Sequence, residues 1–423
     1  MKKWYILILC MTQFAVGRSN AETYTLDSFL DAVKARNRDL KIAEKERETA
    51  AAKVKEAQSA ALPSVGLEAG YNRNLTDYYM YFDKSAFSPD ASGVMSAPFK
   101  RDNEYSSAVG LKQTLFSFSV GDGIRAADQY RTMVDYIYNA GESSILTASK
   151  QLFYRCLLLK EVYGVARSAE TNALDNYTVM KLKYDNGQTS QLELLQAETR
   201  WKNAETETLK SEKNLKLAMN MMKIMAGIDI HYDINIAGSL DTVPEMPGET
   251  SFEDGLKARP DFRAIEWEEK LRMTAVRAAK NSVMPTFSGT LAFSYTAQSN
   301  EFRLDEENKF WYAGVKLSMP IYTGGLIKSK VQQNTIELGK TGIRKEKAKE
   351  NIASDLENIG LRLREARLRI SSAESTKKTS ENTSRLASAS PRAWSWRALA
   401  SWRRSSAAGS MRRSAWAIAC LTC

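Results

Sequence analysis

The chain repeats itself at a spacing of about 220 residues. Ala35 to Pro63 reads ARNRDLKIAEKERETAAAKVKEAQSAALP, and Ala258 to Pro285 reads ARPDFRAIEWEEKLRMTAVRAAKNSVMP. Each copy holds an Arg, an Asp, a charged helical run with small residues late in it, and a closing Pro. Each Pro is followed by a short alternating segment, a polar loop, a second alternating segment, a Gly pair and a very long polar helix. The spacing is too long for a solenoid unit, so the chain is a duplicated domain half. Its strands are too exposed in pattern for a soluble core, and its helices are too long for a globular one.

Residues 1–21 have the pattern of a secretory leader. Lys2 and Lys3 open it, Trp4 to Met11 are apolar, and Ser19 and Ala21 form a small-x-small cleavage site before Glu22. The apolar run is too short to span a bilayer. The net charge of +10 is concentrated outside the body. Lys2, Lys3 and Arg18 belong to the leader. Arg385, Arg392, Arg397, Arg403, Arg404, Arg412 and Arg413 lie in a C-terminal stretch with no acid and no Lys. Without them the body is near neutrality, which removes the basic pI as an argument for nucleic-acid binding. Between leader and tail the only cysteine is Cys156, so no disulfide framework is available there. No run of 18 apolar residues follows the leader, and no transmembrane helix is expected.

Leu26 to Asn37 reads as a short amphipathic helix, with a second helix from about Asp39 to Ala61 that Pro63 ends. Val65, Leu67, Ala69 and Tyr71 then alternate with Gly66, Glu68, Gly70 and Asn72. A long polar-aromatic loop from about Arg73 to Glu104 separates this strand (64–72) from a second (105–115). In the other half, period-two alternation marks strands at 286–295 and 311–319. Four strands of about ten residues have the length of tilted transmembrane β-strands. One apolar face and one small or polar face suit a wall between lipid and water. Two ordinary hairpins in a soluble sandwich would share the alternation. Four strands cannot close a membrane barrel, for which eight is the usual minimum, so a barrel requires several chains.

Gly121 and Gly123 follow the second strand, and Gly324 and Gly325 the fourth. The rest of a phosphate-binding fingerprint is missing, and these glycines read as flexible strand-to-helix junctions. The helix expected from about Ile124 to Tyr184 carries a heptad seam through Leu152, Cys156, Leu159, Tyr163, Ala166, Ala173, Tyr177, Met180 and Tyr184. Its natural partner is an antiparallel helix from about Gln191 to Met225, with Leu215, Ala218, Met222 and Met225 on its seam. The turn between them is Asp185-Asn186-Gly187-Gln188-Thr189-Ser190. Gly187 can close the first helix in the left-handed conformation, and Thr189 or Ser190 can cap the second. The second half opens with a short helix near Ser251 to Lys257 and ends in a long helix from about Ile327 to Thr383.

These features together resemble the TolC-like outer membrane efflux protein family, over about Glu22 to Thr383. YTLDSFLDAVKARNRDL is similar to the family's opening, and Pro63 and Pro285 precede strands as the family's prolines do. LKQTLFSFSVGDG and LSMPIYTGG resemble its strand-to-helix segments. KYDNGQTSQLELLQAE resembles its helix-hairpin tip, with Gly187 at the glycine, Glu193 in the acidic slot and Ala197 further along. The resemblance implies a mainly α protein with a β-barrel contribution. It implies long antiparallel helical hairpins forming an α-barrel, and four strands per chain in a twelve-stranded barrel closed by a homotrimer. It also implies outer-membrane lipid around the barrel, helices in the periplasm, a periplasmic adaptor docked at Asp185 to Ser190 and Glu193, and an inner-membrane pump of RND or ABC type. The expected function is a passive duct for small molecules or peptides, in tripartite efflux or type I secretion. A periplasmic coiled-coil scaffold or adaptor without a channel is the alternative.

The organisation expected is therefore a leader (1–21), a first repeat (22–235), a linker (236–250), a second repeat (251–383) and a tail (384–423). The tail departs from the family. It holds Trp394, Trp396, Trp402 and Trp416, and Pro391 would interrupt a helix. The abrupt change resembles a GC-rich gene read out of frame, so a frameshift or truncation near Ser384 is expected, with the return helix of the second hairpin missing; a real basic C-terminal extension that binds acidic partners or anionic lipid is the alternative. A chain so altered is expected to trimerise poorly or to leak. The chain's single histidine, His231, falls in the Gly/Pro-containing stretch from about Gly227 to Glu249 as a surface or packing residue. There is no Cys/His metal spacing and no catalytic constellation, so neither enzymatic activity nor a cofactor is expected.

Overall fold

The computed structural model describes residues 22–76, 79–86, 92–98, 100–240 and 251–388. The expected leader, residues 241–250 of the expected linker and the tail from residue 389 lie outside the described residues. Contacts divide the chain into two units. One comprises Met1–Lys45, Ile137–Asp261 and Ala348–Cys423; the other comprises Glu46–Tyr136 and Phe262–Lys347. Each unit draws segments from both repeats.

In chain order the first elements are β1 (Glu22–Tyr24), α1 (Leu26–Arg36), α2 (Arg38–Ser59) and β2 (Ser64–Arg73). Then come β3 (Tyr79–Asp83), a single 3-10 turn, β4 (Val94–Pro98) and β5 (Asn103–Phe116). The long helical hairpin is α3 (Phe118–Asp185) and α4 (Gln191–Met225), followed by β6 (Ile234–Ile236). The second half holds α5 (Phe252–Ala258), α6 (Pro260–Asn281), β7 (Thr286–Ser299), β8 (Asn308–Ser318) and α7 (Leu326–Ser388).

The first unit has a compact apolar core. Phe29 and Val33 of α1 pack with Phe153, Cys156 and Leu157 of α3 and with Ala218 and Met222 of α4. The Phe29 and Phe153 rings stack with centroids 5.9 Å apart. Full burial of such side chains contributes about 1.5–3 kcal/mol each, so this cluster anchors the unit. Parallel pairing of β1 with β6 adds Tyr24, Ile234 and Ile236 to it. The expected linker is thus partly a strand, and Ile236 is its last residue. Asn37 couples two helices to the hairpin. Its Oδ1 accepts from the N–H groups of Asp39 and Leu40 at the start of α2, and its Nδ2 donates to the Met225 carbonyl at 2.9 Å. At the hairpin's far end Tyr177 stacks on Trp201 across α3 and α4, with centroids 5.3 Å apart.

The second unit is built on a four-stranded antiparallel sheet in the order β2-β5-β7-β8. The strands expected from alternation are present and extend one to four residues further, except that β8 stops at Ser318, one residue short of its expected end. The expected loop from Arg73 to Glu104 is not all loop, because β3 and β4 form an antiparallel hairpin within it. Beside the sheet, Asp122 of α3 accepts from Arg277 Nε at 2.8 Å and from Asn281 Nδ2 at 2.7 Å, both on α6. Glu268 and Glu269 of α6 pair with Arg344 and Lys345 of α7 at 3.3 and 2.7 Å.

α3 starts earlier than its glycines suggest. Gly121 and Gly123 are not at a junction: they lie inside the first turns of α3, which begins at Phe118. The Ser117 carbonyl accepts from the Gly121 N–H at 3.2 Å, a first-turn backbone bond that any residue's amide could make, so the helix start does not require glycine there. α7 runs five residues past the expected end, to Ser388.

Candidate functional site

Two features of this chain are built for contact with something outside it: the sheet of the second unit and the helix-hairpin turn of the first.

Cross-strand register sorts the sheet's side chains cleanly onto two faces. On one face Leu67, Val109, Phe293 and Trp311 stand in a single row across all four strands, and Val65, Leu111, Leu291 and Ala313 stand in the next. Val315 and Leu317 continue this face on β8. On the other face the rows are Gly66, Gly110, Ala292 and Tyr312, then Gly70, Ser106, Thr296 and Asn308. Small or hydroxyl residues dominate it, with Phe310 and Tyr312 as aromatic exceptions. The apolar face is uncovered: Leu67 is 71% exposed, Trp311 70% and Val315 73%. Leaving each such side chain in water forgoes about 1.5–3 kcal/mol, so the face requires an apolar environment. Every residue of β2 and of β8 is exposed, and both strands are edges of the sheet. An edge strand presents a row of unpaired N–H and C=O groups, which in hydrocarbon would cost several kcal/mol each.

An aromatic group closes one end of the sheet. Tyr71 packs against Tyr105 with ring centroids 5.2 Å apart, and Phe302 of the β7–β8 turn sits edge-on to both. Tyr71 donates to Asn103 Oδ1 at 2.8 Å, and Asn103 donates to the Ser299 and Glu301 carbonyls. Arg101 makes two bonds to the Glu306 carboxylate, at 3.1 and 2.6 Å. At the opposite end Pro63 and Pro285 stand immediately before β2 and β7. Gly324 and Gly325 precede α7 with φ of +58° and +85°, a region that a side chain would strain.

The hairpin turn is organised by hydrogen bonds alone. Gly187 has φ of +70° and donates to the Tyr184 carbonyl, while Gln188 donates to the Lys183 carbonyl at 2.8 Å. These two bonds are the Schellman closure, which satisfies the last carbonyls of α3. Asn186 Nδ2 adds a bond to the Leu182 carbonyl at 2.7 Å. Ser190, rather than Thr189, caps α4: its Oγ accepts from the Glu193 N–H, and the Glu193 carboxylate accepts from the Ser190 N–H, both at 3.3 Å. Thr189 Oγ1 also donates to that carboxylate. This hydroxyl bond, and the backbone bond from Ser190, hold the Glu193 carboxyl below its ordinary range. Asp185 ends α3 and is exposed. Leu182, Leu192 and Leu195 leave apolar side chains in water on either side of the turn.

Of the residues singled out in the sequence, Asp185 to Ser190 and Glu193 form one continuous turn. Asp122, between the two glycines, is a site residue that the sequence did not single out; it lies just past the first turn of α3. Among the described residues no group of three or more His, Cys, Asp and Glu side chains gathers as a metal site. Cys156 is fully buried, and burial pushes its thiol up to about 12, far from a nucleophile's range. No described helix is long and apolar enough to cross a membrane.

A sheet with this two-faced register, joined to helices of 68, 35 and 63 residues, defines the class of outer membrane channels that combine a helical barrel with a β-barrel. The outer membrane efflux protein family model matches residues 29–227 and 253–393, and the chain belongs to that family. Outer membrane protein TolC of Salmonella enteritidis is 21% identical over 309 residues, 70% of this chain and 59% of the relative. The matched part thus spans about three-fifths of that relative's length. Among solved structures, the open state of the Neisseria gonorrhoeae MtrE outer membrane channel superposes with a TM-score of 0.73 at 16% identity, over 94% of this chain and 86% of that one. The Campylobacter jejuni CmeC outer membrane channel gives 0.67 at 17% identity, over 94% and 84%. The chain is an outer membrane protein whose helical part lies in the periplasm.

Proposed function

We propose that three copies of this chain close a twelve-stranded barrel in the outer membrane and serve as the passive exit duct of a tripartite efflux or type I secretion system. The observation that carries this reading is the sheet of β2, β5, β7 and β8. It has one bare apolar face, one small and polar face, and two unpaired edges. Lipid satisfies the first, a water-filled lumen the second, and β8 of one copy beside β2 of the next satisfies the edges. A soluble sandwich would need a covering layer over the apolar face, and the described residues of this unit leave it open.

In this reading small molecules or peptides pass from the periplasm or from a pump to the exterior. The energy belongs to an inner-membrane pump of RND or ABC type. A periplasmic adaptor docks at the turn from Asp185 to Ser190, where the Glu193 cap fixes the backbone and Leu182, Leu192 and Leu195 supply apolar area. Outer-membrane fractionation and conductance in planar bilayers test the reading, and a heat-resistant trimer on gels would also overturn the expectation that a chain with this tail trimerises poorly. Recovery of the chain as a freely soluble species without conductance would overturn it and favour a periplasmic scaffold.

A further inference from the structure

Lys112 and Lys316 stand on the small-residue face of the sheet, near the end where β5 and β8 give way to helices. Lys112 lies in the row Ser64, Lys112, Thr290, Gly314. Lys316 faces Ser288, in the row two residues nearer the helices. Both side chains are exposed, and neither makes a hydrogen bond or ion pair among the described residues. Their neighbours across the strands are hydroxyl groups and glycine, so nothing close by neutralises them.

The other charges on this face are distant or already paired. Glu68, in the row of Ala108, Ser294 and Phe310, is the next acid along the strands. It lies four residues from the Lys112 row on β2, about 13 Å at 3.3 Å per residue. That exceeds the Debye length of about 10 Å at 0.1 M salt, so Glu68 does not cancel the lysine charge. Glu104, further on, is paired with Lys100 at 3.4 Å.

Resting on the three-copy duct proposed above, we infer that Lys112 and Lys316 form a cationic collar at the helix-side mouth of the barrel, which selects anionic small molecules as cargo. Threefold repetition turns two unpaired ammonium groups into six around one inner circumference. A ring of lysines in a narrow, low-dielectric wall raises the local concentration of anions and repels cations. Hydroxyl-lined rows beside the collar accept a solvated ion without trapping it.

The test is reversal potential in planar bilayers under a KCl gradient, with purified trimers of the full chain. The unaltered protein is expected to pass chloride in preference to potassium. Lys112→Gln with Lys316→Gln is expected to lower the anion-to-cation permeability ratio by about sevenfold, the effect of removing a potential of roughly one kT that acts in opposite senses on the two ions. Glu68→Gln, which leaves both lysines in place, is expected to raise the ratio or leave it unchanged. A heat-resistant trimer of each variant verifies assembly. Conducting trimers whose ratio is the same with and without the lysines overturn the collar and leave the duct standing. Absence of any conductance from the unaltered chain overturns the duct, and the collar falls with it.

Discussion

Arg277 donates from Nε to Oδ1 of Asp122 at 2.8 Å, and the two ends of this ion pair differ sharply in shielding. The Asp122 side chain is 7% exposed and the Arg277 side chain 44%. The pair joins the start of α3, just past its first turn, to the last turns of α6. Its asymmetry makes the consequences of removing either partner unequal.

Arg277→Ala leaves a buried carboxylate with only Asn281 as donor, and is expected to cost about 3 kcal/mol. Asp122→Ala leaves a guanidinium that water still reaches, and is expected to cost about 1–2 kcal/mol. Thermal unfolding of both variants in the same detergent checks the order. Equal losses would show that the shielding of Asp122 does not matter.

Gly187 and Gly227 end α3 and α4 with φ of +70° and +64°. A Cβ on Gly187 meets nothing within 4 Å, whereas one on Gly227 falls 2.7 Å from the Arg36 carbonyl oxygen. Gly187→Ala is expected to cost about 1–2 kcal/mol, from backbone conformation alone. Gly227→Ala adds a clash with main chain and is expected to cost about 3–4 kcal/mol. Comparing their melting temperatures, with adaptor cross-linking at the Gly187 turn, separates stability from docking.

The Glu193 cap predicts an acid-sensitive turn. Its carboxyl titrates lower in the folded chain than in the unfolded one, because the Thr189 hydroxyl and the Ser190 N–H stabilise the carboxylate. The unfolded chain therefore binds the proton first as pH falls. The contribution to stability is complete above the ordinary carboxylate range and is lost as pH drops through the folded value. The protection factors of the first amides of α4, taken relative to their intrinsic exchange rates at each pH, should fall on acidification, and Glu193→Gln should abolish that dependence. An unchanged acid profile in Glu193→Gln would refute the assignment.

Cys156 is expected to resist maleimide in the native protein and to react on unfolding, because its thiol is fully buried and pushed up to about 12. Peptide mapping of the labelled site is the readout. Cys156→Ser places a hydroxyl among Phe29, Phe153 and Met222, and is expected to cost about 1–3 kcal/mol.

The four long strands and the α3–α4 hairpin were legible because each carries a repeated local signal. Val65 to Tyr71 alternate, Pro63 and Pro285 forbid the preceding helix, and Gly187 marks its own turn. Elements without periodicity were not legible. Three residues at Glu22–Tyr24 cannot announce that they pair with Ile234–Ile236 more than 200 residues away. The β3–β4 hairpin was hidden in a loop whose tyrosines read as polar-aromatic filler. Gly121 and Gly123 misled because glycine tolerates a helix as well as a bend, and helix start was decided at Ser117. The choice of Ser190 over Thr189 as cap depended on which hydroxyl reaches the Glu193 amide. The environment of Asp122 depended on where α6 comes to rest.

The bare margins at β2 and β8 have a consequence for how such a sheet is made. A solitary copy in water would offer two open backbone templates and a greasy surface at once, which is the recipe for indiscriminate stacking. The safe route is for margins to meet their counterparts as the surface enters lipid, so that completion of the sheet is a collision between copies and its yield rises steeply with their local abundance.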